Sequence, residues 1–152
     1  MNLFDGSDPG KHVGFTVELA TTDPDGWPRL ALLSAGEIFT VDQTRLRIAL
    51  WPESHTTANL TRTSRATLTF VHGKMAYNIR LRTCRGENLD TPGPLAVFDG
   101  RIIEIRREVA PYAELESGIT FSLPNEESTV DRWRDTIAAL ALHAGCMPSG
   151  LG

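Results

Sequence analysis

The chain predicts a mainly β domain, an antiparallel barrel carrying one short inserted helix and one C-terminal helix. Three observations predict it. Short runs in which apolar and polar residues alternate recur along most of the chain, the signature of strands buried on one face. The breaks between them hold turn residues, as in Asp23-Pro24-Asp25-Gly26, at lengths that suit hairpins. Helical spacing is sparse, brief after Pro52 and clearest in a stripe of Val130, Trp133, Ile137, Leu140 and Ala141 near the end.

Taken in order, residues 1–12 are polar and interrupted by Gly and Pro, which predicts a flexible arm ahead of a domain over residues 13–143. Phe15, Val17 and Leu19 alternate with polar neighbours as a first strand, and residues 29–34 return as its hairpin partner. A short strand at 38–41 leads through an Asp42-Gln43 turn into residues 45–50, where Leu46, Ile48 and Leu50 alternate. Pro52 ends that run, and Ser54 stands where a helix N-cap belongs, ahead of a short helix through Leu60. Residues 66–72 and 75–83 form a second hairpin about Gly73, with Met75, Tyr77, Ile79 and Leu81 on one face. Residues 86–94 read as a loop. The next strand runs from 95 to 107, with a kink or bulge at Asp99-Gly100. A short helix at 110–117 and a strand at 118–123 follow. Asn125 and Ser128 offer caps for the final helix, whose Trp133 reads as core. Residues 144–152, rich in Gly, Pro and Ser, are expected to be disordered.

At 152 residues the chain is one domain with room for a core. A net charge of −4 and a pI near 5.5 argue against nucleic-acid binding, and no base-reading motif is present. No apolar run approaches a membrane span, and residues 1–15 lack the features of an export signal. Cys84 and Cys146 have no second Cys or His at ligand spacing, so a cytoplasmic protein with two free thiols and no metal is expected. His12, His72 and His143 show no ligand spacing either.

The charges are unevenly placed. Residues 54–86 hold no acidic residue but six basic ones, Arg62, Arg65, Lys74, Arg80, Arg82 and Arg85. A +6 island inside a chain whose remainder carries −10 suggests a local anion site. Ser54-His55-Thr56-Thr57 opens a helix inside that island, where free backbone N–H groups and the helix dipole favour an anion.

The residues around this point resemble a known family. Asp25-Gly26-Trp27-Pro28, the run Leu32-Leu33-Ser34, and Ser54, Leu60, Ala66, Leu68 and Phe70 in gapless register are similar to the pyridoxamine 5'-phosphate oxidase-like family. The likeness spans roughly residues 14–107. It implies an antiparallel split β-barrel, FMN as cofactor, a homodimer with a flavin in each interface cleft, and oxidoreductase chemistry on a small molecule. On that resemblance Ser54, His55, Thr56 and Thr57 would cradle the flavin phosphate. Trp51 and Tyr77 would contact the ring or ribityl chain, Ser34 the ring edge, and Arg80 the phosphate. Arg80 and Tyr77 fall on opposite faces of their strand, so only one can face a given cleft. The positions where true oxidases of the family carry phosphate-binding cations are Ala31, His55 and Thr56 here. That departure supports an alternative, a non-catalytic module on the same fold for another anionic ligand such as haem, a deazaflavin or another nucleotide.

Overall fold

In a computed structural model of the chain, which describes residues 3–147, seven strands form one antiparallel sheet. They are β1 (Val17–Thr22), β2 (Pro28–Leu33), β3 (Ile38–Thr40), β4 (Arg45–Leu50), β5 (Arg65–His72), β6 (Met75–Arg85) and β7 (Ala96–Glu108). Two helices accompany them, α1 (His55–Thr63) and α2 (Glu126–Leu142). The order β2-β1-β5-β6-β7-β4-β3 curls the sheet into a split barrel with the main core inside. Val17, Leu19, Ile48, Leu68 and Phe98 are wholly buried there, each from the apolar phase of its strand. The β5–β6 connection needs two left-handed residues, Gly73 and Lys74, as a tight hairpin turn does. Among the described residues no helix is long and apolar enough to cross a membrane.

Several expectations need correction. Residues 110–117 are not a helix and residues 118–123 are not a strand. The first segment is almost wholly exposed, so no core contact offsets the cost of ordering it. The second lies across β5, where a side-chain carbon at Gly118 would sit 3.7 Å from Val71, and it joins no ladder. The irregularity in β7 is not at Asp99-Gly100. Gly100 is in register opposite Leu46 and Thr83, and pairing slips instead between Arg80 and Leu81, which face Glu104 and Ile102. Ile103 is therefore the extra, bulged residue. Lastly, Cys84 and Cys146 are not free thiols but a disulfide, with α-carbons 6.2 Å apart. The pairing removes one of the two supports for cytoplasmic placement, since disulfides persist mainly in oxidising compartments.

The chain ends are tied down where described. Leu3 and Phe4, from the expected flexible arm, are buried, and Phe4 meets Phe70 edge-on at 5.9 Å. At the other end, residues 143–147 run over the outer face of β4, β7 and β6. Cys146 N–H donates to Asp99 Oδ2 at 2.9 Å, and Asp99 is paired with Arg47 at 3.2 Å, both buried. Residues 148–152 of the expected disordered tail lie outside the described residues.

Helix α2 covers the outer face of β4 and β7, where Ile137 and Leu140 pack on Ala49 and Val97. Its stripe is as expected except for Ala141, which is exposed. Asn125 stands at the N-cap but makes no side-chain cap bond, and Ser128 donates to the Asn125 carbonyl instead. Close approach to the sheet side depends on Gly36, where a side-chain carbon would meet Trp133 Cγ at 2.1 Å. Beyond the Val71 end of β5, where Gly118 lies, the outer face of β5 and β6 carries the exposed or half-buried Arg65, Thr67, Arg80 and Arg82.

Candidate functional site

A cleft of about 380 Å³ opens where the ends of β2 and β4, the start of α1, the 91–95 loop and the flank of α2 converge. Local sequence explains each wall. Pro52 ends β4 and turns the chain out, leaving the Trp51 indole 66 % exposed at the rim. Ser54 then caps α1, its Oγ accepting from Thr57 N–H at 3.1 Å. The Thr57 hydroxyl donates back to the Trp51 carbonyl at 2.6 Å, so the loop and the helix mouth form one hydrogen-bonded unit. The hairpin strand supplies Leu32 and Leu33, the loop Leu95, and α2 Trp133.

The helix mouth fits an anion through its backbone. Of the N–H groups in the first turn, Thr57's is taken by Ser54, while those of His55 and Thr56 precede any intrahelical acceptor. Thr56 is buried and lines the cleft. The Ser54 hydroxyl is engaged with Thr57 both as acceptor and as donor, so Thr56 is the better placed hydroxyl. Thr91 Oγ1, also on the cleft wall, is buried and unpartnered, a polar atom that a ligand would satisfy.

The eight residues expected from the sequence do not converge. Trp51, Ser54 and Thr56 line the cleft. Ser34 is beside it, its Oγ accepting from Gly36 N–H at 3.2 Å. His55 is exposed and Thr57 is buried behind the helix mouth, so neither lines the wall. Tyr77 lies in the main core, stacked on Phe70 at 5.1 Å. Arg80 projects from the open outer face toward Glu104 at 3.5 Å. The opposite-face argument for that pair holds, and neither residue faces the cleft.

Sequence reasoning missed Glu37, Arg132 and Asp135, all on the wall. Glu37 completes a capping box, its Oε2 accepting from Ser34 N–H at 2.8 Å. Burial pushes its carboxyl up to about 7, against the pull of that hydrogen bond and of the nearby Arg132 charge. The Ser34-x-x-Glu37 spacing was the available signal. Nothing local marks Arg132, which reaches the cleft only because α2 docks there.

A family model for pyridoxamine 5'-phosphate oxidase matches residues 15–115. The chain is 36% identical over 141 residues to YclD of Bacillus subtilis (strain 168), itself an uncharacterized protein, covering 91% of this chain and 90% of that one. Among solved structures, a candidate pyridoxamine 5'-phosphate oxidase from Lactobacillus delbrueckii has TM-score 0.53 at 22% identity, over 60% of this chain and 84% of that one. HupZ from Group A Streptococcus has TM-score 0.54 at 15% identity, over 62% and 90%. These structural likenesses speak to the fold; the family match and the relative decide the membership. The chain belongs to the pyridoxamine 5'-phosphate oxidase-like family.

Proposed function

We propose that the protein binds FMN in this cleft and acts as a flavin-dependent oxidoreductase, moving electrons between a reduced nicotinamide, or another reductant, and a small molecule. The working unit is the split barrel of residues 13–143 with Leu3, Phe4 and the Cys84–Cys146 disulfide packed onto it, as a homodimer with a flavin at each interface. The observation that carries the reading is the meeting of an open α1 N-terminus with an apolar, tryptophan-edged cleft in a chain of this family.

The residues present suit the group. The N–H groups of His55 and Thr56 and the Thr56 hydroxyl would hold a phosphate monoester. Trp51, Leu32 and Leu50 would bound a planar ring, and Thr91 Oγ1 would meet one of its polar edges. FMN supplies the redox chemistry when bound, and the protein's share is binding, orientation and electrostatics. Trp133 and Leu95 close the cleft toward the sheet and exclude water. Glu37 stands half protonated near pH 7, with Oε2 occupied by Ser34 N–H, so Oε1 can hold or release a proton at the cleft wall.

A second reading, a non-catalytic module for another anionic ligand (haem, a deazaflavin or another nucleotide), is favoured by the charges. Ala31, His55 and Thr56 stand at the family's cationic positions. The cleft sets one guanidinium, Arg132, against the carboxyls of Glu37 and Asp135, and charge-assisted contacts are roughly twice as strong as neutral ones. A Thr56→Ala variant tests the placement of the FMN phosphate. FMN affinity, read by quenching of flavin fluorescence, should fall severalfold with the melting temperature unchanged. Equal affinity in the variant would remove the phosphate from this helix mouth.

A further inference from the structure

The basic island does not serve the cleft. Its cations have separate fates, and most are accounted for. Lys74 pairs with Glu114 at 3.1 Å and Arg80 with Glu104 at 3.5 Å. Arg62 donates to the Thr22 carbonyl and to Asn59 Oδ1. Arg85 lies over the Phe98 ring, 5.9 Å from its centroid. Arg65 and Arg82 remain, and among the described residues neither guanidinium makes an ion pair or hydrogen bond.

The sheet register puts these two directly opposite each other, and it places Arg101 of β7 directly opposite Arg82. Arg101 has no side-chain partner among the described residues either. Cross-strand partners share a face, with Cβ atoms roughly 4.5–5.5 Å apart. Here it is the outer face, because Ala66, Leu81 and Thr83 beside them are buried within. Three adjacent strands thus present three unpaired guanidiniums in one transverse row. Like charges directly opposite one another destabilise a sheet, and the row stands in a chain of net charge −4. An anion seated on it would remove that repulsion.

Arg65 and Arg82 line a groove of about 400 Å³ together with Thr22, Thr67, Arg80 and Ile103, and Arg101, outside that lining, stands across from Arg82 at its edge. None of its lining residues is shared with the cleft. The two openings lie at opposite ends of α1, which spans about 13 Å along its axis. Guanidinium forks match phosphate oxygens in bidentate geometry, and the threonine hydroxyls add donors. Ile103, pushed out by the β7 bulge and 49 % exposed, supplies an apolar surface. The geometry points to a second, separate anion site: the row of Arg65, Arg82 and Arg101 takes the phosphate or diphosphate group of a small phosphorylated ligand whose apolar part rests on Ile103.

The probe is inorganic pyrophosphate, titrated calorimetrically into the full chain. Wild-type protein should bind it saturably, with affinity that falls steeply as salt rises. Arg65→Gln/Arg82→Gln should weaken binding at least tenfold, while Thr56→Ala binds it as wild type does. Because the double variant relieves repulsion, it should melt no lower than wild type without ligand and lose the upward shift that pyrophosphate gives. Absent saturable binding, or weakening by Thr56→Ala in place of the arginine changes, would overturn the assignment. So would a double variant that alters the sedimenting mass of the protein yet keeps wild-type pyrophosphate affinity, since the row would then be an interface between copies of the chain.

Discussion

At the residue scale, the most consequential side chain that sequence reasoning passed over is Glu37. Its carboxyl is neutral in the fold up to about pH 7, whereas an ordinary glutamate ionises near 4.5. The folded state therefore holds the extra proton between those values, and stability falls as pH rises through that window and is flat above it. The full difference is on the order of 3 kcal/mol. A Glu37→Gln variant keeps an acceptor for Ser34 N–H but cannot ionise. Denaturant unfolding at pH 4.5 and pH 8 should show the variant gaining relative to wild type by up to about 3 kcal/mol at the higher pH. Parallel pH profiles would mean that the carboxylate is already solvated at neutral pH. The Ser34-x-x-Glu37 spacing marks its cap locally, but the burial that shifts its carboxyl comes from the cleft wall that α2 joins from far along the chain. Ser54, Trp51 and Thr56 were easier, since Pro52 and a cap residue mark a helix mouth locally.

At the scale of elements, alternation located every strand of the sheet, because each β-strand buries one face and the side-chain period is two. The two elements wrongly expected lie between β7 and α2, where exposed chain mimics a pattern without a surface to pack on. The disulfide was illegible for another reason: Cys84 and Cys146 are 62 residues apart, and their meeting depends on β6–β7 register and on α2 returning the chain to that face. The link has a measurable consequence. Denatured protein that has not been reduced should show no titratable thiol, and Cys146→Ser should cost roughly 2–4 kcal/mol in unfolding free energy. Two reactive thiols in the unreduced chain would contradict the pairing. The neighbouring contacts of His143 support the same seating, with its Nδ1 accepting from Gly145 N–H at 2.8 Å and its Nε2 donating to the Glu87 carbonyl at 2.7 Å.

At the scale of the molecule, the sheet separates two chemistries that adjoin in the sequence. One end of α1 opens an apolar cleft, where the N–H groups of His55 and Thr56 precede any intrahelical acceptor. Beyond its other end, the outer face carries the unpaired arginines. The +6 island was visible in the residue order, but its division between structural pairs and a free row was not, because cross-strand register decides which cations have partners. Binding of FMN in the cleft is tested most directly by titrating freshly purified protein with FMN, followed by flavin fluorescence and the visible spectrum. Saturable quenching with a bound-flavin spectrum is the predicted result. A protein that leaves FMN fluorescence unchanged throughout the titration would contradict it and turn attention to the non-catalytic reading.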